Sequence, residues 1–200
     1  MRRRGIRHLF YFQVDNVLVR IADPAYLGFH DQMAAEMSAR TVRKRDPWEK
    51  LGHIGRLDGA CKVIEYTELP EEKKTARNEE GGLLFGQGSI AIHLFSLDFL
   101  ERLARQKIEL PYHIARKKVA SVEDQRAAAA DGGLNAVKFE QFIFDAFSFA
   151  NRILVLETDR RFEFSPIKNR EGEDSPATAR RDLSEMFAGW LEACGISPRR

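Results

Sequence analysis

Two charged residues occupy positions from which they could hold a metal ion or a phosphate group. Asp15 follows the apolar segment 8–14, and a carboxylate at the end of a buried strand can bind a divalent cation or orient a phosphate. Lys168 lies in the sequence Ser-Pro-Ile-Lys-Asn, where Pro166 and a polar loop could aim its ammonium group at a phosphate. Ordinary alternatives stay open, because Asp-Asn pairs commonly end strands through local turn hydrogen bonds and a lone loop lysine is usually solvated.

A glycine-flanked segment, Gly86–Ser89, is a second candidate for ligand contact. We predict a short strand at Leu83–Phe85 that leads into a loop here. The backbone of such a loop could approach a ligand closely, because glycine carries no side chain and tolerates positive φ. The segment lacks the Gly-Lys-Ser/Thr ending of a Walker loop. An ordinary tight turn explains the same residues equally well.

Composition and spacing argue against several classes of function. The 32 basic and 30 acidic residues leave a net charge of only +2, so the basic run at 40–45 does not by itself indicate a nucleic-acid partner. No two of the five histidines are three or four residues apart, and the two cysteines are distant, so no metal-binding pair is indicated. No signal peptide or long apolar window is present, and we predict a cytoplasmic protein with no membrane partner.

The hydrophobic pattern alternates between strands and helices, which predicts an α/β fold in a single domain, residues 1–200. We expect strands at 8–14, 53–57, 61–66 and 152–157, with a hairpin turn at Asp58-Gly59. Helices are expected at 24–37, 70–77, 139–150, after Ser96, and from Ser175 to a stop at Gly195. The small residues of 127–133 predict a loop.

Several stretches of the chain, taken in order, resemble one enzyme family. They are Val14-Asp15-Asn16 with Ala22-Asp23-Pro24, Asp58-Gly59 with Val63 to Glu68, Leu83 to Phe85 with Ile90-Ala91 and His93, Lys138 to Glu140 with Phe142, Phe144 and Asp145, Glu163 to Asn169, and Ser175 to Arg180. Together they are similar to the UDP-sugar pyrophosphorylases, above all to the UDP-N-acetylhexosamine pyrophosphorylases. The resemblance runs across nearly the whole chain.

That resemblance implies a fold and a reaction. The fold would be the C-terminal part of a nucleotidyltransferase, a Rossmann-like mixed sheet flanked by helices and incomplete at the N-terminus. In this family a sugar 1-phosphate attacks the α-phosphorus of UTP, pyrophosphate leaves, and Mg²⁺ offsets the phosphate charge. The resemblance assigns Asp15 to the metal and the phosphates and Lys168 to a phosphate, both as catalytic groups, because such chemistry depends on positioning and electrostatic stabilisation.

The same resemblance implies a sugar-binding side. Glu65 would accept hydrogen bonds from ring hydroxyls, and Phe142 and Phe144 would lie near the sugar and its acyl substituent. The eukaryotic members have asparagine where this chain has Ser89, whose shorter hydroxyl changes reach and selectivity. The substrate-binding residues implied in this way are Asn16, Gly59, Glu65, Ser89, Phe142 and Phe144.

The family's glycine-rich nucleotide loop precedes the Val-Asp-Asn strand, and nothing before Asp15 in this chain corresponds to it. We therefore expect a uridylyltransferase that uses UTP and a sugar 1-phosphate, or a UDP-sugar, and that is inactive as these 200 residues alone. One alternative is a non-catalytic sugar-nucleotide-binding subunit that pairs with a separate N-terminal half. Another is a purely structural or basic-surface module.

Overall fold

A computed structural model describes residues 1–57, 59–118 and 135–197, and its main feature is a six-stranded mixed sheet. The strands are β1 (His8–Tyr11), β2 (Met37–Arg43), β3 (Gly52–Leu57), β4 (Ala60–Ile64), β5 (Gln87–Ser96), β6 (His113–Lys117), β7 (Ala136–Glu140) and β8 (Ile153–Glu157). The strand order in this sheet is β4-β3-β5-β2-β8, with β1 beside β5. The α-helices are α1 (Pro24–Gln32), α2 (Glu71–Thr75), α3 (Leu97–Arg105), α4 (Arg160–Glu163) and α5 (Pro176–Ala193), and 3-10 helices cover Arg2–Arg4 and Ile143–Phe149.

Strand β5 is the spine of the sheet. Along one edge it pairs antiparallel with β2, and along the other it pairs with β3 near its start and with β1 near its end. The remaining neighbour, β8, runs parallel to β2. This mixture of parallel and antiparallel pairs, with helices against the sheet, confirms the α/β mixed-sheet fold implied by the resemblance.

Apolar side chains cover both faces of the sheet, because alternate residues of a strand point to opposite sides. On one face, Met37 and Phe95 pack with Phe99 of α3 and Phe147 of the second 3-10 helix. On the other face, a second cluster contains Tyr26 of α1, Val42, Leu51, Ile90, Ile92, Leu94 and Phe164. The sheet is therefore buried between helical layers, and its loops are left to form the site.

Three local predictions are confirmed, namely the hairpin, the cap of α3 and the start of α5. The hairpin β3–β4 pairs His53 with Ile64 and Leu57 with Ala60. Ser96 caps α3 by accepting a hydrogen bond from the Phe99 amide at 3.2 Å. Helix α5 begins with a capping box formed by Ser175 and Thr178. Among the described residues no helix is long and apolar enough to cross a bilayer.

Other local predictions are wrong. The strand predicted at 8–14 ends at Tyr11, pairs antiparallel, and leaves Val14 95% exposed. The helix predicted at 24–37 ends at Gln32. Met37, the last residue of the predicted helix, is instead the first residue of β2. This strand was not predicted, because Ser38, Arg40 and Thr41 are polar. The loop predicted at 86–89 is largely the start of β5, and Leu83–Phe85 forms only a bridge between Leu83 and Arg77.

The aromatic segment 139–150 is not one helix. Its first two residues belong to β7, which pairs with β6 in a separate two-stranded ribbon, and a 3-10 helix follows from Ile143. Helix α5 forms as predicted, but Phe187, Trp190 and Leu191 on its apolar stripe are exposed among the described residues. The loop predicted at 127–133 and the turn residue Asp58 lie outside the described residues.

Candidate active site

A cavity of about 390 Å³ brings together most of the predicted site residues. Its walls come from the end of β1, the loop before β3, the end of β4, the start of β5, the segment 141–144 and the segment 164–168. Five of the eight residues implied by the resemblance line it: Glu65, Ser89, Phe142, Phe144 and Lys168. Asp15, Asn16 and Gly59 do not.

Asp15 and Asn16 are nevertheless bonded to the segment that carries Lys168. Asn16 is buried, its Nδ2 donates to the Glu163 carbonyl at 2.8 Å, and its Oδ1 accepts from the Ser165 amide at 3.0 Å. The Ile167 amide donates to the Asp15 carbonyl at 2.9 Å. The Asn16 side chain is thus engaged with backbone and positions the segment 163–168, which differs from the substrate contact that the resemblance implies for it.

Lys168 ends this segment with its ammonium group unengaged. Its backbone amide donates to the Asp174 carbonyl at 2.7 Å, as does that of Asn169 at 2.9 Å. Within the described part of the chain, the Lys168 Nζ makes no hydrogen bond or ion pair. A fixed backbone with an unengaged ammonium at a cavity wall is suited to an anionic ligand.

A buried network of charged side chains supports the segment 163–168. The Arg40 guanidinium lies between the carboxylates of Asp23 and Glu163 and 4.7 Å from the Tyr26 ring. All three charged residues are buried. Burial raises the pKa of Glu163, and the nearby Arg40 opposes that shift. The network links the start of α1, strand β2 and Glu163, whose carbonyl accepts from Asn16.

Sequence reasoning missed this network. It read Arg40 only as part of a basic surface run, although the residue is 5% exposed. The sequence contained little signal of it, because β2 alternates apolar residues with the polar Ser38 and Thr41. Only the burial of the strand shows that Arg40 needs a partner of opposite sign.

A bulge in β5 turns the backbone toward the cavity. Arg40 pairs with Ile92 and Thr41 with Ser89, so Ile90 and Ala91 have no partner on β2. Ala91 adopts a positive φ of 54°, a left-handed conformation that costs an alanine about 1–2 kcal/mol. Ser89, Ile90 and Ala91 all line the cavity. Bulges of this kind often re-aim side chains beside active sites.

Glu65 and a glycine opposite it form the next wall. Burial raises the pKa of Glu65, Glu68 adds to the rise, and the positive charges of His113 and Lys168 oppose it. A Cβ built on Gly52 would lie 2.8 Å from Val63 Cγ1 and 3.6 Å from Glu65 Oε1. Only glycine therefore fits this position without displacing its neighbours.

The glycine chosen from the sequence was Gly59, and the structure corrects that choice. Gly59 lies in the exposed turn of the β3–β4 hairpin with a φ of +80°, and nothing lies within 4 Å of a Cβ built on it. Its role is to form the turn. Gly52, seven residues earlier, is the glycine that lines the cavity.

Two stacked phenylalanines form an aromatic wall, which we define as Phe142 and Phe144. Their ring centroids are 4.8 Å apart with the planes 15° from parallel. The His113 ring lies 4.8 Å from that of Phe142. The His113 Nδ1 is 2.7 Å from Glu68 Oε1, and its Nε2 is 2.9 Å from Asp145 Oδ2.

Polar residues that the sequence did not single out also line the cavity. Gln13, Tyr66 and Lys50 add a side-chain amide, a phenol and a second ammonium group. Gln141 lines the wall too and is anchored by its own donation to the Leu110 carbonyl at 2.7 Å. Tyr66 lies within the stretch Val63 to Glu68 but was assigned no role there, and the other three belong to none of the family stretches. Only the folded chain reveals that these residues line the cavity.

The Asp15 carboxylate suits a bound cation whose other ligands are phosphate oxygens. No group of three or more His, Cys, Asp and Glu side chains that could hold a metal occurs among residues 1–57, 59–118 and 135–197. The Asp15 carboxylate makes no hydrogen bond or ion pair with a described residue. Mg²⁺ is commonly bound through one or two carboxylates together with substrate phosphates. Asp15 fits that pattern.

Comparison with known proteins gives this geometry a family. The family model for UTP–glucose-1-phosphate uridylyltransferase matches residues 1–173. The chain is 39% identical to the UDP-N-acetylglucosamine pyrophosphorylase of Saccharomyces cerevisiae, over 96% of this chain and 42% of that relative. It is 38% identical to the Homo sapiens UDP-N-acetylhexosamine pyrophosphorylase-like protein 1, over 98% of this chain and 39% of that relative.

A solved structure agrees with these sequence matches. The uridine diphosphate N-acetylglucosamine pyrophosphorylase of Trypanosoma brucei, crystallised with an inhibitor, superposes with a TM-score of 0.83 at 31% identity, over 96% of this chain and 37% of that one. The chain thus spans less than half the length of the relatives it matches. Because the matched residues include the Asp15 segment, the cavity walls and Lys168, this chain belongs to the UTP–glucose-1-phosphate uridylyltransferase family.

Proposed function

We propose that the protein containing this chain transfers a uridylyl group from UTP to a sugar 1-phosphate, and that this chain supplies the sugar-binding side. The observation that carries the proposal is the single cavity lined by Glu65, Ser89, the aromatic wall and Lys168. It combines a polar wall, an apolar wall and the ammonium groups of Lys50 and Lys168, neither of which makes a hydrogen bond or ion pair with a described residue. A sugar phosphate presents hydroxyls, an apolar ring face and an anion in the same way.

In this reaction an oxygen of the sugar 1-phosphate forms a bond to the α-phosphorus of UTP, and the bond to the β-phosphate breaks to release pyrophosphate. Lys168 offsets charge on the phosphates, and Asn16 holds the lysine segment in place. A bound Mg²⁺, with Asp15 as its protein ligand, would supply further charge neutralisation. Glu65 and Ser89 orient the ring hydroxyls.

The aromatic wall favours an N-acetylhexosamine as the sugar. Stacked rings at the cavity can pack against an acyl methyl group, and the relatives described above carry N-acetylglucosamine or N-acetylhexosamine in their names. Ser89 leaves a plain hexose as the second candidate, because its hydroxyl reaches less far than an amide. Both cysteines are free, which suits a reducing compartment, and we propose the cytoplasm.

Nucleotide binding by this protein would draw on a region beyond the match. The chain covers 42% of the yeast relative, and its sequence contains no glycine-rich phosphate loop. We propose that the region that binds UTP lies elsewhere, in the same polypeptide or in a second chain. The alternative is a non-catalytic sugar-nucleotide-binding subunit that pairs with a separate N-terminal half.

Release of pyrophosphate by the native protein tests the proposal. With UTP, Mg²⁺ and N-acetylglucosamine 1-phosphate, we expect turnover that falls about 100-fold or more in Lys168→Met. Lys73→Met, at an exposed position in α2, is the matched control and should keep full rate. Equal rates in both variants would contradict the role of Lys168. Tight binding of UDP-sugar without turnover would favour the binding subunit.

A further inference from the structure

The imidazole of His113 joins three segments that surround the cavity. It is the first residue of β6, it contacts Glu68 in the turn after β4, and it contacts Asp145 in the 3-10 helix. The turn is itself tied to Glu65, whose carbonyl accepts from the Glu68 amide at 2.9 Å. The imidazole therefore connects the polar wall of the cavity with the wall formed by Phe142.

The ring also packs on the aromatic wall. Its centroid is 4.8 Å from that of Phe142 and 6.5 Å from that of Phe144. The His113 side chain is 18% exposed. It is not among the cavity-lining residues, so it acts on a ligand through the wall.

Both hydrogen bonds exist together only in one protonation state. A neutral imidazole has one N–H donor, whereas the imidazolium has two. Glu68 and Asp145 face the two ring nitrogens as acceptors, and Glu65 and Glu140 add negative charge nearby. Burial lowers the pKa of His113, but the two carboxylate bonds and their charges outweigh it, and the net pKa is raised.

We propose that His113 is a positioning residue whose imidazolium, held between Glu68 and Asp145, fixes the aromatic wall opposite Glu65 so that sugar binding weakens when the ring loses a proton. The sugar-binding part rests on the proposed function. The positioning part does not, because it concerns contacts within this chain. When the imidazolium loses a proton, one ring nitrogen no longer carries an N–H, and one of the two carboxylates loses its hydrogen-bond donor.

The experiment follows the affinity of the full native protein for UDP-N-acetylglucosamine from about pH 6 to about pH 9. We expect the affinity to fall about tenfold as His113 deprotonates. In Glu68→Gln, which removes one facing charge, the fall should move to lower pH. In His113→Phe, affinity should be weak at every pH in this range and should not show this fall.

The matched control is His8→Gln, because His8 also contacts a carboxylate, that of Asp31 at 2.8 Å, but does not line the cavity. It should leave the pH profile unchanged. The proposal is overturned if His113→Phe retains the wild-type profile, or if Glu68→Gln does not move it. Should His113→Phe fail to fold, the charge variants Glu68→Gln and Asp145→Asn decide the question.

A nuclear magnetic resonance measurement separates the two parts. The side-chain nitrogens of His113 report its protonation, and Overhauser contacts between its ring and Phe142 report the wall. We expect these contacts to weaken as the ring deprotonates, with or without a ligand. Persistence of the contacts through that titration overturns the positioning role. Absence of UDP-sugar binding by wild type at any pH, with the contacts still pH-dependent, contradicts the proposed function and leaves the positioning role standing.

Discussion

The two sides of the cavity are held in different ways. The segment that carries Lys168 is bonded to Asn16 and backed by the buried Arg40 network, in which every charged side chain is at most 6% exposed. The aromatic wall instead adjoins the ribbon β6–β7, which lies outside the main sheet and exposes Ile114 and Phe139. We propose that the first side binds the phosphate and call it the phosphate side; a buried charge network holds it. We propose that the second side binds the sugar and call it the sugar side; Phe144, which packs against a core cluster, and the contacts around His113 hold it.

This difference matches the demands of the proposed reaction. Charge is redistributed at the phosphates during transfer, and a cation displaced by a small distance loses much of its effect. The sugar substituent varies among hexoses. Phe144 of the aromatic wall packs against a core cluster, whereas Phe142 packs on the His113 ring, so the Phe142 part of the wall can change without unfolding the sheet. We therefore expect substitutions on the two sides to differ in kind, with stability affected on the first and affinity or selectivity on the second.

The largest expected effect is on the phosphate side. Arg40→Met should lower the free energy of unfolding by about 3–5 kcal/mol, because Asp23 and Glu163 would remain as buried carboxylates without their cation. The matched control is Arg43→Met, whose ion pair with Glu157 is made by a side chain that is 82% exposed, and which should cost about 1 kcal/mol or less. Equal losses in urea denaturation would contradict the account of the network.

The next largest effect is expected from Gly52→Ala, which should change both stability and sugar binding. Its Cβ would meet Val63 Cγ1 at 2.8 Å, so we expect a loss of about 1–3 kcal/mol in unfolding free energy together with weaker sugar binding. Gly28→Ala in α1 meets nothing within 4 Å and should instead raise stability by about 0.5–1 kcal/mol. Thermal unfolding of both variants measures the contrast. If Gly52→Ala left the free energy of unfolding unchanged, the backbone at this wall would be able to shift and accommodate the added methyl group.

Arg40 and Gly52 also show where sequence reasoning reached its limit. The sequence was enough to predict features that depend on local pattern or on a family motif. These are the mixed α/β fold, the hairpin, the caps of α3 and α5, and the cavity residues Glu65 and Lys168. Arg40 was not, since its partners Asp23 and Glu163 are 17 and 123 residues away. Choosing Gly52 over Gly59 required knowing which strand lies opposite.

The misread start of β5 has a related cause. Glycine is uncommon inside strands, so the glycines at 86 and 88 indicated a loop. In the structure a Cβ on Gly88 would lie 2.7 Å from Leu51 Cδ1, and close packing explains the glycine. The ribbon β6–β7 was missed because its two strands, 113–117 and 136–140, are separated by a long stretch of chain.

A smaller effect is expected from pH on the sugar side. His113 has a raised pKa in the folded chain, so its contribution to stability is complete below the unfolded value of 6.5 and is lost as pH rises through the folded pKa. Wild type should therefore lose some stability as pH rises from 6.5 through the folded pKa, and His113→Gln should lose less. Denaturation at several pH values measures this. A wild-type stability that rises with pH there, by comparison with His113→Gln, would contradict the assigned contacts.

The smallest effect should be on selectivity. Ser89→Asn places a longer amide at the β5 bulge, and we expect the ratio of kcat/KM for the N-acetylated over the plain sugar 1-phosphate to rise about threefold to tenfold. Ser184→Asn, on the exposed surface of α5, is the control and should leave the ratio unchanged. A ratio unmoved by Ser89→Asn would remove Ser89 from the residues that select the sugar.

The most direct test of the central claim is a crystal structure of the native protein with UDP-N-acetylglucosamine and Mg²⁺. We expect the sugar ring to lie between Glu65 and the aromatic wall, with a phosphate oxygen within hydrogen-bond distance of the Lys168 ammonium group. A sugar bound outside this cavity, or a phosphate that does not approach Lys168, would contradict it.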